Sequence, residues 1–313
     1  MSSSYVGRFA PSPTGPLHAG SAAAALASYL DARAHEGRWL LRIEDVDTPR
    51  TVAGAAGLIQ DQLRFLGLQW DGPVVFQSAR AHRYRLAFDR LAAAGKVFGC
   101  ACSRREIADA LATSSPQALQ RNLEPVYPGT CRNGIPGGRA PRAWRFRVCD
   151  EAVTEVVMFD DRWLGPQRQV PAEDAGDFII LRADGLWAYQ LAVTVDDGEA
   201  GVTHVVRGQD ILSSTGRQVL LQRALGLPMP SYLHIPLVLG ANGEKLSKQN
   251  GAGSITGDDA RTPPHPCDVL NQAARLLQIE PPASRDKTRW LEKATHRWAD
   301  RFHGIASPPP QGA

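Results

Sequence analysis

Runs of apolar residues, separated by turn-forming clusters, divide this chain into short predicted elements. Tyr5-Val6-Gly7-Arg8-Phe9-Ala10 predicts a strand. It breaks into Pro11-Ser12-Pro13-Thr14-Gly15-Pro16, a turn stiffened by prolines and a glycine. An alanine-rich run over 21–35 predicts a helix that Gly37 can end, and 39–43 predicts a second strand. Strand, loop, helix and strand make the elementary piece of a parallel α/β sheet. Further helices are predicted over 52–66, with Gly67 as a cap, and over 81–94. Ser103 followed by Glu106 has the form of a capping box and predicts a helix through about Leu111.

From 113 to 142 Pro and Gly become dense, which predicts irregular structure that something must hold together. Strands are predicted at 144–148, 153–159 and 178–182, the last ending in the turn Ala183-Asp184-Gly185. Strand 202–206, helix 215–225 and strand 233–239 follow, then a polar stretch with one helix over 268–277. The proline-rich end, 306–313, is expected to be disordered. The order predicts one Rossmann-type parallel sheet with an insertion between its halves. Two independent domains fit less well, because neither half has enough strands.

Composition narrows the picture only slightly. A chain of 313 residues, 43% hydrophobic and 21% charged, has the make-up of a globular protein and can bury a full core. No run of about 18 apolar residues suggests a membrane span. The start, Met1-Ser2-Ser3-Ser4-Tyr5, lacks basic and apolar segments, so the cytoplasm is the expected compartment. A net charge of +3 does not diagnose a nucleic-acid partner. Arg139, Arg142, Arg145 and Arg147 lie close together and could meet phosphates; a solvated basic stretch fits equally well. Five cysteines without an export signal point to reduced thiols or a metal site rather than a disulfide framework.

Candidate chemistry begins at Arg8-Phe9-Ala10-Pro11-Ser12-Pro13-Thr14-Gly15-Pro16-Leu17-His18-Ala19-Gly20-Ser21. A strand ends, a rigid turn follows, and a helix starts near His18. Free N–H groups and partial positive charge at a helix amino end suit a triphosphate. Gly20 removes bulk there, and His18 could donate to phosphate oxygens. A tight turn without a ligand is the plain alternative. The segment resembles the first signature of the glutamyl subgroup of class I aminoacyl-tRNA synthetases, R-F-A-P-S-P-T-G followed by H-x-G. Ala19 and Ser21 replace two positions of the wider H-I-G-H motif. The resemblance implies a Rossmann core that binds ATP at His18, Gly20 and Ser21.

A second segment, Lys245-Leu246-Ser247-Lys248-Gln249, places two lysines in a Gly-bounded loop that could close on pyrophosphate. It resembles the class I K-M-S-K-S loop, with Lys248 at the position the family uses on ATP. His18, Lys248 and Lys245 are thus the expected catalytic residues.

A site for glutamate needs cations for two carboxylates and an anion for one ammonium. Arg8 and Arg207 can grip carboxylates bidentately, and Glu44, just past a predicted strand end, can take the ammonium. Tyr189 could hydrogen-bond the substrate or line its pocket. These residues sit in stretches resembling the family's L-R-I-E-D-x-D-x-x-R, completed by Arg50, and V-x-R-G-x-D/E. The expected glutamate site comprises Arg8, Phe9, Ala10, Pro11, Ser12, Glu44, Tyr189 and Arg207. A cation at Arg207 favours glutamate over glutamine, whose amide cannot balance it.

Cys100-Ala101-Cys102 and Tyr127-Pro128-Gly129-Thr130-Cys131 offer three thiolates, enough with one more donor for a tetrahedral Zn²⁺; spacing alone favours reduced structural cysteines. The C-x-C…Y-x-x-x-C pattern resembles the zinc site of the glutamyl-Q tRNA(Asp) synthetase group, which implies Cys100, Cys102, Tyr127 and Cys131 as ligands. Cys149 and Cys267 are expected to be ordinary thiols.

The resemblance covers roughly 5–251, and the approximately 60 residues beyond leave no room for a helical anticodon-reading domain. It implies tRNA-independent activation of glutamate with ATP and Mg²⁺, then transfer to queuosine at the wobble position of tRNA(Asp), by a monomer. A truncated enzyme charging tRNA(Glu), a silent tRNA-binding paralogue and an unrelated nucleotidylyltransferase are the alternatives. The expected fold is α/β: a first Rossmann half at 1–95, a zinc-containing α+β insertion at 96–185, a second half at 186–255, and a short helical segment with a tail at 256–313.

Overall fold

The computed structural model describes residues 4–114, 126–149, 155–237, 253–257 and 264–302. The first strand, β1 (Val6–Phe9), pairs in parallel with β2 (Arg38–Ile43), Val6 facing Arg38, and β2 pairs with β3 (Val75–Phe76). A second group follows the order β7 (Gly165–Gln169), β6 (Val157–Asp161), β10 (Ser231–Ile235), β9 (His204–Gly208). In it β6, β10 and β9 run parallel, and β7 returns antiparallel on β6. β9 lies beside β1, where Thr203 N donates to Val6 O at 2.9 Å and Val6 N to Thr203 Oγ1 at 2.9 Å. β1 therefore has β2, its successor, on one side and the distant β9 on the other. That reversal of strand order is where open α/β sheets leave a crevice at the carboxyl ends of their strands.

The third sheet, β4 (Val97–Cys100), β5 (Ala143–Phe146) and β8 (Phe178–Leu181), is antiparallel throughout. All three strands lie inside the expected insertion at 96–185. β4, β5 and β8 form their own sheet, whereas β6 and β7, from the same range, pair with β10.

Local sequence accounts for most helix ends. Helix α1 (Ala19–Ala34) carries Ala22, Ala23, Ala25, Ala27 and Ala32 buried, and these small side chains let two later helices pack close. Gly67 ends α2 (Ala55–Leu66) in the left-handed region at φ 77°. After α3 (Ala81–Ala93), the capping box of α4 (Arg104–Ser114) forms in full: Ser103 N donates to Glu106 Oε2 at 2.7 Å and Glu106 N to Ser103 Oγ at 3.2 Å. A single turn, α5 (Pro171–Asp174), precedes α6 (Tyr189–Glu199) and α7 (Thr215–Leu225).

Besides the single turn α5, two helices among the described residues were not expected. α6 is buried from Gln190 through Asp197, so no polar face marks it in the sequence. Beyond α8 (Pro266–Leu276), α9 (Lys287–Phe302) buries Trp290, Leu291, Ala294, Trp298 and Phe302 along one stripe, among many charged residues.

Two large cores result. One packs Leu26, Leu30, Trp39 and Leu63 against Trp290 and Trp298 of α9. The other gathers Tyr84, Val157, Ile180, Leu191, Leu221 and Tyr232. Asp31 of α1 ties the first together, accepting from Tyr5 OH (2.5 Å), Arg162 Nη1 and Nη2 (2.7 and 2.8 Å) and Trp298 Nε1 (2.8 Å). Among the described residues no helix is long and apolar enough to cross a membrane.

Candidate active site

A cleft of about 610 Å³ opens at the carboxyl ends of β1, β2, β9 and β10. That size suits a small-molecule substrate. Its lining includes Arg8, Glu44, Tyr189 and Arg207 on one part and His18, Gly20 and Ser21 on another. Phe9, Ala10, Pro11 and Ser12 form the wall between, and Glu44 N donates to Pro11 O at 3.0 Å, tying the turn to the end of β2.

His18 is the N-cap of α1. Its Nδ1 accepts from Gly20 N at 3.2 Å and Ser21 N at 3.3 Å, while Ser21 Oγ accepts from His18 N at 2.8 Å. A ring nitrogen that accepts carries no proton, so the ring proton resides on Nε2. The serine at the fourth motif position therefore completes a reciprocal cap and orients the imidazole.

Arg8 and Arg207 are held differently. Arg8 donates from Nε to Asp197 of α6, at 3.1 and 3.3 Å, and Arg42 Nη1 shares the same carboxylate at 2.6 Å. Arg42 also reaches Glu44 Oε1 at 3.2 Å. Burial pushes the Glu44 carboxyl upward, against the guanidiniums of Arg42 and Arg8. Against the same push of burial, Arg42 and Arg8 hold Asp197 below the ordinary carboxylate value. Burial raises the Tyr189 phenol to about 12, so it stays a neutral donor. Among the described residues, Arg207 of β9 meets uncharged atoms in its hydrogen bonds: His234 Nε2 at 2.9 Å, Gln218 Oε1 at 2.7 Å and Thr215 Oγ1 at 2.8 Å.

A second centre lies at the end of β4. The sulfurs of Cys100, Cys102 and Cys131 all lie within 4.8 Å of one another, with Cys102 and Cys131 3.5 Å apart. Tyr127 OH sits 3.4 Å from Cys100 Sγ and 3.7 Å from Cys102 Sγ. A tetrahedral zinc with thiolates at about 2.3 Å would separate its sulfurs by roughly 3.8 Å, so the three sulfurs stand close enough to hold a metal ion, with the Tyr127 oxygen beside two of them. The guanidinium of Arg145 lies 3.7 Å above the Tyr127 ring, a cation beside a cluster that gains negative charge when its thiols ionise.

Residues 5–296 match the family model "tRNA synthetases class I (E and Q), catalytic domain". The chain belongs to that family. A glutamyl-Q tRNA(Asp) synthetase of Bordetella bronchiseptica is 55% identical over 299 residues, 95% of this chain and 90% of the relative. One from Burkholderia mallei is 58% identical over 275 residues, 88% of this chain and 89% of its own. Among solved structures, a glutamate-tRNA synthetase from Elizabethkingia anophelis superposes with a TM-score of 0.75 at 25% identity, and a glutamate tRNA ligase from Elizabethkingia meningosepticum, in complex with its amino acid, with 0.74 at 26%. This chain spans 65% and 64% of those two proteins, which cover 93% of it.

As a class I (E and Q) synthetase, the chain brings eleven of the expected residues into one cleft: Arg8 through Ser12, His18, Gly20, Ser21, Glu44, Tyr189 and Arg207. Cys100, Cys102, Tyr127 and Cys131 gather elsewhere. Lys245 and Lys248, with the rest of their loop, lie outside the described residues, as does the tail from 303. The arginine cluster divides: Arg145 is buried and donates to Asp177 O at 2.7 Å, Arg147 donates to Arg132 O at 2.8 Å, and Arg139 pairs with Glu106 at 2.7 Å. Those three serve the synthetase's own packing. Asp197, Gln218 and His234 escaped sequence reasoning. His234 reads as a polar interruption of an apolar strand, and Asp197 falls in the helix whose periodicity is hidden.

Proposed function

We propose that this chain activates L-glutamate with ATP as glutamyl-AMP, without tRNA, and then transfers the glutamyl group to queuosine at the wobble position of tRNA(Asp). The observation that carries the reading is a single cleft. In it, two arginines, a carboxylate and a phenol adjoin a capped helix amino end. Opposite charges there match a doubly acidic amino acid beside a place for phosphates. Relatives at 55% and 58% identity bear the name glutamyl-Q tRNA(Asp) synthetase, which supports the choice of acceptor.

In this reading Arg8 and Arg207 take the substrate carboxylates, Glu44 takes the ammonium, and Tyr189 donates to the bound amino acid. The α-carboxylate oxygen attacks the α-phosphorus of ATP, and pyrophosphate leaves. The Nε2–H of His18 and the positive end of the α1 dipole receive phosphate charge, with Mg²⁺ arriving on ATP and Lys245 and Lys248 as further cations for the phosphates. A hydroxyl of the queuosine diol then attacks the acyl carbon and AMP departs. Alignment and charge stabilisation supply the rate, and no covalent enzyme intermediate is needed. Cys100, Cys102, Tyr127 and Cys131 would hold one Zn²⁺, which when bound stabilises the local fold.

Glutamate-dependent exchange between ATP and pyrophosphate, without tRNA, tests activation. Transfer of labelled glutamate to tRNA(Asp) with and without queuosine, beside tRNA(Glu), tests the acceptor. The expected result is labelling of queuosine-containing tRNA(Asp) alone, abolished by periodate cleavage of its diol. Labelling of tRNA(Glu) instead would overturn the acceptor assignment, and absent exchange would overturn activation.

A further inference from the structure

His234 is completely buried and stands opposite Arg207 in the register of β10 on β9. Its Nε2 lies 2.9 Å from Arg207 Nε. A guanidinium has no acceptor, so this bond exists only if Nε2 is bare and the ring proton sits on Nδ1. Nδ1 is 2.6 Å from Asp161 Oδ2, which accepts that proton's hydrogen bond. Asp161 is itself fixed by the backbone: Oδ1 accepts from Trp163 N at 3.0 Å and Leu164 N at 2.9 Å, and Oδ2 from His234 N at 3.0 Å. Against burial, these bonds hold Asp161 below the ordinary carboxylate value, and burial holds His234 below the ordinary histidine value.

The remaining partners of Arg207, Gln218 and Thr215, are neutral as well. Arg8 contrasts with it, because its Nε is spent on the carboxylate of Asp197. A carboxylate in the place of His234 would aim Arg207 equally well but would pair with its charge. The other tautomer, with its proton on Nε2, would present N–H to N–H. We infer that His234 is a positioning residue of the amino-acid site: Asp161 fixes its ring as the Nδ1–H tautomer, and the ring aims Arg207 into the cleft without cancelling its charge. The inference rests on reading that cleft as the glutamate site.

Asp161→Asn is the decisive variant. The oxygen of the new carboxamide keeps the bonds from Trp163 and Leu164, so its nitrogen faces His234 Nδ1. An amide nitrogen donates, so Nδ1 must then accept, and the ring proton moves to Nε2, against Arg207. Imidazole ¹⁵N NMR on the full-length protein should report Nδ1–H for His234 in the unaltered chain and Nε2–H in D161N. In glutamate-dependent ATP–pyrophosphate exchange, D161N and H234A should raise KM for glutamate by about tenfold or more, leaving KM for ATP unchanged. H234Q, whose amide oxygen can still accept from Arg207, should recover much of the loss. Thermal unfolding of each variant establishes that folded protein is being compared. An Nε2–H signal in the unaltered chain overturns the inference. So do parallel changes in both KM values, or an unchanged glutamate KM in folded variants. Absence of glutamate-dependent exchange in the unaltered enzyme sinks the reading of the site, which the ring measurement distinguishes from a failed role for His234.

Discussion

The cleft and the cysteine cluster are both built from residues far apart in sequence, yet they are held by different physics. The central side chains of the cleft are held by partners within the fold: Arg8 by Asp197, Arg207 by His234, and His18 by its own helix. The cysteine cluster has a small apolar surround, chiefly Phe98 and partly buried Ile107 and Ile135, and its sulfurs touch one another and a phenol. One centre is formed by the fold. We propose that the other is completed by a metal ion, because crowded thiolates repel until a cation joins them.

Removing that cation is the strongest way to break the comparison. A chelator should cost the segment around 126–142 its structure, with a free energy on the order of 10 kcal/mol at stake for a structural zinc site. Limited proteolysis should open there first, while glutamate-dependent exchange keeps most of its rate. Equal loss of both would mean the two centres are one cooperative unit. Metal analysis of the purified protein should find one zinc per chain.

Next in size is Asp197→Ala. It leaves two guanidiniums buried without their shared carboxylate, which typically costs about 3–5 kcal/mol. Denaturant unfolding should show that loss, and glutamate activation should fall with it, without new cleavage near the cysteines. A stability change under about 1 kcal/mol would show that the cleft is not preassembled as described.

The smallest effect is one of pH. Glu44 sits above its usual 4.5 because of burial, so the carboxylate that takes the ammonium is lost earlier on acidification than an exposed glutamate would be. The kcat/KM for glutamate should fall about tenfold per unit below that raised value. Asp31, Asp161 and Asp197 are shifted the other way, below 3.8. The stability they contribute is present above that value and goes only as pH falls through their depressed pKa values, so activity should decline before the fold does. An acid limb at or below 4.5 would contradict the placement of Glu44.

Sequence reasoning found what local chemistry or a resemblance to a known family announces. Helix α7 was placed over 215–225, ending before Gly226, which adopts φ 64°. Arg8, Glu44 and Arg207 were picked from motifs and do share one cleft. What it missed depends on tertiary context. The edge strand β7, Gly165-Pro166-Gln167-Arg168-Gln169, has little apolar content because it pairs on one side. The signal of α9 was present, in Trp290, Ala294 and Trp298 at four-residue spacing, but was diluted by its charged face. Asp197 and His234 gain their meaning from partners 189 and 27 positions away. No local window contains both.

The bonds to Asp31 come from residues 5, 162 and 298, so one carboxylate waits for contributions from nearly the whole sequence. During synthesis at about 5–20 residues per second, α1 emerges with only Tyr5 to match this acid, and many seconds pass before Trp298 leaves the ribosome. The amino-terminal half cannot close its interior until then. A nascent chain stalled ahead of α9 should therefore bind chaperones through the face of α1 that α9 later covers.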